Sequence, residues 1–283
     1  MLNKILIGAH ISGRVPLSEA PQRAKEAGCE CFQFFSRPPQ GGKAMPITAV
    51  TIKNFKAGMK KYRQGECYIH TPYFINLASA NNRIFYGSIN VIREELERGS
   101  LLGVKYLMTH LGSAKDLGEK EGFKKVIKGL GEVLKDYQGK TKFLIEMSAG
   151  AGLIIGDTFE EVAYIINKLY AISHKPIGVC FDTAHAFASG YDLRDEKTVK
   201  ETFKKFDRVL GLKNLKLIHA NDSKVDLGSH KDRHDHIGEG KIGMKGFQAI
   251  VNFAKKQKIN LVIETPKDGK DLEDIKILKK LRN

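Results

Sequence analysis

The chain has 283 residues, 42% hydrophobic and 28% charged, which is enough to bury a sizeable core and suits the length of one α/β barrel. Lys and Arg outnumber Asp and Glu by 47 to 32, a formal charge of +15. That excess points either to a polyanionic partner (nucleic acid, an anionic membrane surface or a phosphorylated substrate) or to a lysine-rich solubilising surface. No apolar stretch reaches the roughly 20 residues that span a bilayer. Residues 1–10 run directly into strand-like sequence with no small-residue cleavage site, so the expectation is a cytoplasmic protein with no membrane partner.

The first strand-like run is Ile5–His10, followed by a helical segment over Ser18–Ala27. Cys31–Phe35 is the second run, and Ile52, Phe55, Met59 and Tyr62 form the next helical stripe. Cys67–Thr71 precedes a helix over Ser88–Leu102. Tyr106–Leu111 precedes the stripe of Phe123, Val126, Ile127, Leu130, Leu134 and Tyr137. After Phe143–Met147 come Phe159, Val162, Ile165, Ile166 and Leu169, opened by Thr158 and Glu161 at capping-box spacing. Ile177–Asp182 leads to Thr198–Leu210, and Leu215–Ala220 to Phe247, Ile250, Val251 and Ala254. Leu261–Thr265 and the stripe of Leu272, Ile275, Leu278 and Leu281 close the chain.

The strand runs are near-continuous in apolar residues, as a parallel sheet covered by helices requires. Eight strands and eight helices alternate with no linker or break in composition, so residues 1–283 read as a single domain. A doubly wound open sheet is the competitor, but no GxGxxG turn follows the first strand. The expected fold is α/β, a single (β/α)8 TIM barrel with its active site at the C-terminal ends of the strands. Cys29, Cys31, Cys67 and Cys180 form no CxxC pair and are expected to be reduced and buried.

The strand ends carry the chemistry. In order they are His10, Ser36, His70, His110, Glu146, Asp182 with His185, His219 and Glu264, and Asp232 and His234 lie in the long loop after the seventh strand. A lone histidine at a strand end is more often a hydrogen-bonded structural residue. Together these groups converge on one barrel mouth, where so many ionisable side chains without cations would be costly to desolvate. Imidazole and carboxylate donors without thiolate suit Zn²⁺, and also Mn²⁺ or Fe²⁺; their number suits two or three ions rather than one.

The local sequences resemble the endonuclease IV family, the metal-dependent apurinic/apyrimidinic (AP) endonucleases of the second AP endonuclease family. His70-Thr-Pro-Tyr73-Phe-Ile-Asn76-Leu-Ala78 is similar to that family's H-x-x-Y-x-I-N-L-A signature. Phe181-Asp182-Thr183-Ala184-His185 through Gly190-Tyr191-Asp192 resembles its second signature. The stretch from Ile218-His219 through Asp232-Arg233-His234 to Gly240 resembles the third. Gly8-Ala9-His10 and Glu146-Met-Ser-Ala149-Gly150 match further segments. Two positions depart: Ala184 stands where a Cys is usual, and Ala151 where a Gln is, which removes a polar contact near the mouth.

The resemblance implies three zinc ions. His70 and His110 would hold one; Asp182, His219 and Glu264 a second; and His185, Asp232 and His234 the third, with Glu146 bridging the first two. Glu146 and Glu264 are thereby the catalytic carboxylates. It also implies a metal-bound hydroxide that cleaves 5′ to an abasic site, leaving a 3′-hydroxyl and a 5′-deoxyribose phosphate, with removal of 3′ blocking groups as a companion activity. Double-stranded DNA containing abasic sites is the implied partner, and the protein is expected to be a monomer.

Reaching a sugar within a duplex requires flipping, which leaves a gap for an inserted side chain. Tyr73, beside a ligand and able to stack, is one candidate DNA contact. Arg37, in the loop 36–43, is either another or an ordinary surface arginine. His10 has no place in the ligand set and reads as a support that orients a ligand. Two rivals remain: a metal-dependent sugar isomerase or epimerase on a similar barrel, and a non-catalytic DNA-damage binding protein.

Overall fold

Strands that are apolar on both faces need cover on both, and here they find it in a closed barrel. The structure, a computed structural model, describes residues 4–13 and 16–283. The expectation about the N-terminal segment, so far as it rests on residues 1–3, lies outside them. The barrel strands are β1 (Ile7–His10), β2 (Cys31–Phe34), β3 (Cys67–His70), β4 (Tyr106–Thr109), β5 (Lys142–Glu146), β6 (Gly178–Asp182), β7 (Leu215–His219) and β10 (Leu261–Ile263). All pair in parallel, and β1 joins both β2 and β10 to close the ring. Tyr68, Met108, Leu144, Cys180, Leu217 and Val262 fill the lumen. On the outer face Phe32 and Phe34 meet Phe55 of α2 (Ala49–Lys61) with ring centroids 6.3 and 5.8 Å apart.

The remaining helices are α1 (Ala20–Glu26), α3 (Asn82–Leu102), α4 (Glu119–Leu134), α5 (Phe159–Ser173), α6 (Thr183–Ala188), α7 (Glu196–Leu210), α8 (Gly243–Gln257) and α9 (Asp271–Arg282). Most expected strands run a residue or two further than the ladder does, because the chain turns out of the sheet at the mouth. Helix α3 begins six residues earlier than its apolar stripe, since Asn81 Oδ1 caps it by accepting from the Arg83 and Ile84 amides at 2.9 and 3.4 Å. Helix α4 stops short of Tyr137, where Asp136 takes a positive φ of 54°.

Two elements at the mouth, among the described residues, were not expected. Helix α6 is too short, and too uniformly apolar, to show a helical period. A two-residue antiparallel ribbon, β8 (Asp222–Ser223) with β9 (His234–Asp235), folds the long loop after β7 back over the mouth. The four cysteines are buried and unpaired. Among the described residues no helix is long and apolar enough to cross a membrane.

Candidate metal centre

Parallel strands in register bring their last residues to one level. His70, Glu146, Asp182 and His219 end β3, β5, β6 and β7, and Asp182 lies directly opposite His219. His110 and Glu264 follow β4 and β10 within a residue. Asp182 also caps α6 by accepting from the His185 amide at 2.9 Å, which places that imidazole one turn away. The pairing of Ser223 with His234 carries His234 to the same mouth. Asp222 holds this loop in shape: its carboxylate accepts from the amides of Ser223, Gly238, Gly240 and Ile242 at 2.8 to 3.1 Å.

The donors fall into three overlapping groups, in each of which one atom per residue lies within 4.8 Å of all the others. His70, His110 and Glu146 form the first; Glu146, Asp182, His219 and Glu264 the second; Asp182, His185 and His234 the third. Asp232 joins the third from the loop, with Oδ1 3.2 Å from His185 Nε2 and 3.3 Å from His234 Nε2. Glu146 Oε2 lies 2.6 Å from His70 Nε2, and its Oε1 lies 3.0 Å from His219 Nδ1 and 3.7 Å from His110 Nε2. Asp182 thus belongs to two groups, as Glu146 does; the sequence reading placed it in one.

The electrostatics ask for positive charge. Glu146, Asp182, Asp232 and Glu264 have only histidines as ion-pair partners among the described residues. Burial drives the Glu146 carboxyl up, but His110, His219 and His70 outweigh it and hold it well below the usual carboxylate range. Burial likewise raises Glu264, and His219 and His10 overcome it. Burial lowers His185, yet Asp182 and Asp232 raise it to about 10. In effect the carboxylates draw protons onto imidazoles, where cations would serve the same end.

The donor set fits divalent ions. It combines imidazole nitrogens with carboxylates and contains no thiolate. Three histidines are already oriented: Nδ1 of His70, His185 and His234 faces the carbonyl of Thr71, Met147 and Glu264 at 2.7, 3.0 and 3.2 Å. Each therefore points Nε2 into the cluster, as metal-ligating histidines with carbonyl partners do. Among the described residues, His110 Nδ1 is buried without a partner.

The other expected site residues take distinct places. Tyr73 is 71% exposed at the rim, edge-on to Phe35 at 5.1 Å. A cavity of about 500 Å³ opens between Tyr73, Phe35 and the ligands. His10 Nδ1 stands 3.4 Å from Glu264 Oε1. The surface reading of Arg37 is corrected: its side chain is 5% exposed, with Nε 2.7 Å from Glu95 and Nη2 2.5 Å from Glu94. Ser36 and Arg98 complete that buried network, which fastens the loop to α3.

Asn76 fixes its own loop, accepting from Ala78 N at 2.9 Å and donating to Ser113 O at 3.3 Å. Gly112 makes this approach possible: it has a φ of 100°, and a Cβ there would sit 2.2 Å from Asn76 Oδ1. Sequence reasoning gave no site role to Gln33, nor to Asn221 within the third signature, yet both are fully buried and bonded to ligands. A lone amide, in a strand as Gln33 or just past one as Asn221, gives no periodic signal; its burial among ionisable groups is visible only in three dimensions.

A closed parallel barrel whose carboxyl-end mouth gathers imidazoles and carboxylates into linked groups defines a class, the barrel enzymes equipped to use divalent metal ions. Residues 21–281 match the family described as xylose isomerase-like TIM barrel. A protein named probable endonuclease 4 from Nitrosopumilus maritimus (strain SCM1) is 43% identical over 283 residues, covering 98% of each chain. One of the same name from Halothermothrix orenii is 38% identical over 277 residues, covering 98% of this chain and 99% of its own. The crystal structure of endonuclease IV from Thermus thermophilus superposes with a TM-score of 0.85 at 26% identity, over 98% of both chains. The chain belongs to the endonuclease IV family and is a nuclease.

Proposed function

We propose that this nuclease hydrolyses the phosphodiester 5′ to an abasic site in double-stranded DNA, leaving a 3′-hydroxyl and a 5′-deoxyribose phosphate, and that it also clears 3′ blocking groups. The observation that carries the reading is the sharing of Glu146 and Asp182 between neighbouring donor groups, which sets those groups side by side at one mouth. His70, His110 and Glu146 would hold one ion; Glu146, Asp182, His219 and Glu264 a second; His185, Asp232 and His234 a third. Zinc suits these donors best, with Mn²⁺ or Fe²⁺ also acceptable to them. Such ions, when bound, supply a Lewis acid for the phosphate and acidify water at neutral pH.

The side chains have separable tasks. Glu146 and Glu264, both held ionised, carry no proton to donate; their catalytic part is to gather positive charge where the scissile phosphate must sit. His10 touches Glu264 and steadies it. Tyr73, exposed beside the cavity, presents a ring to stack where the abasic nucleotide leaves the helix. The +15 charge gives the DNA backbone a salt-dependent hold. A monomer is expected, and four unpaired cysteines suit a reducing cytoplasm.

The test is a duplex with one abasic site, labelled at the 5′ end of the damaged strand and incubated with zinc-loaded protein. A cut directly 5′ to the site, with a terminus that a polymerase extends, is expected. Absence of cleavage by a fully metal-loaded chain overturns the reading.

A further inference from the structure

The five histidines of the metal centre are not all held alike. His70, His185 and His234 each direct Nδ1 at a backbone carbonyl and Nε2 at the donor cluster. His110 points Nε2 at Glu146, and its Nδ1 has no partner among the described residues. His219 is reversed. Its Nδ1 faces the carboxylates, 3.0 Å from Glu146, 3.2 Å from Glu264 and 3.8 Å from Asp182. Its Nε2 lies 2.8 Å from Oε1 of Gln33, so among the described residues it is the one ligand histidine whose outer nitrogen meets a side chain.

Gln33 sits on β2 between Phe32 and Phe34, which face the helices, so its own side chain faces the lumen and is fully buried. It pairs in register with His10. Its Nε2 donates to Glu264 Oε1 at 2.6 Å and lies 2.9 Å from His10 Nδ1. A carboxylate only accepts, so the amide end that meets Glu264 must be the NH₂. Turning the amide over would press two acceptor oxygens together at that distance. The carbonyl end must therefore meet His219, and it can only accept. It follows that His219 carries a proton on Nε2, which leaves Nδ1, the atom facing the carboxylates, to meet a bound cation. His10 Nδ1 lies 2.9 Å from the same amide nitrogen and 3.4 Å from Glu264 Oε1.

We propose that Gln33 is a positioning residue of the metal centre: its carboxamide fixes His219 as the Nε2–H tautomer, making Nδ1 the ligand atom, and clamps the Glu264 carboxylate through its other end. This rests on the metal-centre reading above and adds the group that orients two ligands of the second ion at once. Backbone carbonyls do the same for three other histidines and cannot be mutated; here the task falls to a side chain that can.

Long-range ¹H–¹⁵N correlation spectra of the zinc-loaded protein test it without any substitution. His219 is expected to carry its proton on Nε2, while His70, His185 and His234 carry theirs on Nδ1. A proton on His219 Nδ1 overturns the proposal. Gln33→Leu removes both ends of the clamp. It is expected to hold zinc at least about tenfold less tightly against a competing chelator, the effect usual for losing a partner of a metal ligand. Gln33→Glu keeps an acceptor for His219 but sets like charge against Glu264, and is expected to weaken zinc retention too. A folded Gln33→Leu chain that keeps all its zinc at the same chelator concentration contradicts the proposal. If that variant does not fold, the wild-type tautomers decide alone. None of these readouts uses DNA. A chain with the expected tautomers that fails to cut abasic DNA overturns the proposed function only; one that binds zinc through His219 Nε2 overturns this proposal only.

Discussion

Asn221 donates through Nδ2 to Asp182 Oδ2 at 2.6 Å, and the same amide accepts the Glu264 backbone N–H on Oδ1, also at 2.6 Å. One buried side chain thereby ties the carboxylate that two donor groups share to the strand end that carries a third carboxylate. Asn221→Asp preserves the acceptor and the shape but places a carboxylate against Asp182. Metal retention is expected to fall by roughly tenfold to a hundredfold with the fold unchanged. Metal content after dialysis against a chelator checks this, alongside far-UV circular dichroism.

The loop that brings Asp232 and His234 to the mouth is anchored away from the metal groups. Asp274 of α9 accepts from His236 at 2.8 Å, from the Ile237 amide at 2.9 Å and from the Thr265 hydroxyl at 2.7 Å, and is 1% exposed. Asp274→Ala leaves several buried donors without a partner, each costing about 1–3 kcal/mol. A loss of about 3 kcal/mol or more is expected in urea unfolding of the metal-free protein. Stability within a few tenths of wild type would show the anchor to be unimportant.

Tyr73 makes its prediction on DNA rather than on stability, because its side chain is largely exposed. Tyr73→Ala is expected to weaken binding to an abasic duplex by about 1–3 kcal/mol, the range for stacking on an aromatic ring, and to leave Tm unchanged. Tyr73→Phe keeps the ring and should behave as wild type. Equal affinity of the Ala and Phe variants in a binding titration would remove Tyr73 from the interface.

Glu161 gives a pH dependence distant from the metal groups. Burial pushes its carboxyl up to about 7, with Asp157 and Glu119 adding to the rise, although the Gly156 amide donates to it at 2.7 Å. The folded chain therefore keeps this proton to higher pH than the unfolded chain. The stabilisation is complete below the ordinary glutamate value of 4.5 and is lost as pH rises through about 7. Glu161→Gln should accordingly raise Tm at about pH 8 and change it little at about pH 4. A uniform shift at both pH values would contradict the assignment.

Much of this was legible in the sequence for a physical reason. Parallel strands buried on both faces are read as apolar runs, and their last residues necessarily meet at one mouth, so His70, Glu146, Asp182 and His219 could be grouped from spacing alone. Burial contacts left no such trace. Arg37 reads as a loop arginine because Glu94 and Glu95, which hold it inside, are distant in sequence. Gln33 reads as one polar residue in a strand, and only closure of β2 beside β1 and the neighbouring ends of β7 and β10 turns it toward three ionisable groups. Helix α6 was hidden because six residues are too few to establish a period.

The central proposal is that the ring of imidazoles and carboxylates makes this chain a metal-dependent nuclease. The decisive experiment strips the protein with a chelator, returns Zn²⁺ in measured increments, and follows incision of a duplex bearing one abasic site against ions bound per chain. No incision by the stripped protein is expected, then recovery as the donor groups fill, and no recovery in Glu264→Gln at the same added zinc. Full-rate incision by stripped protein, or by zinc-treated Glu264→Gln, would contradict the metal-centre assignment.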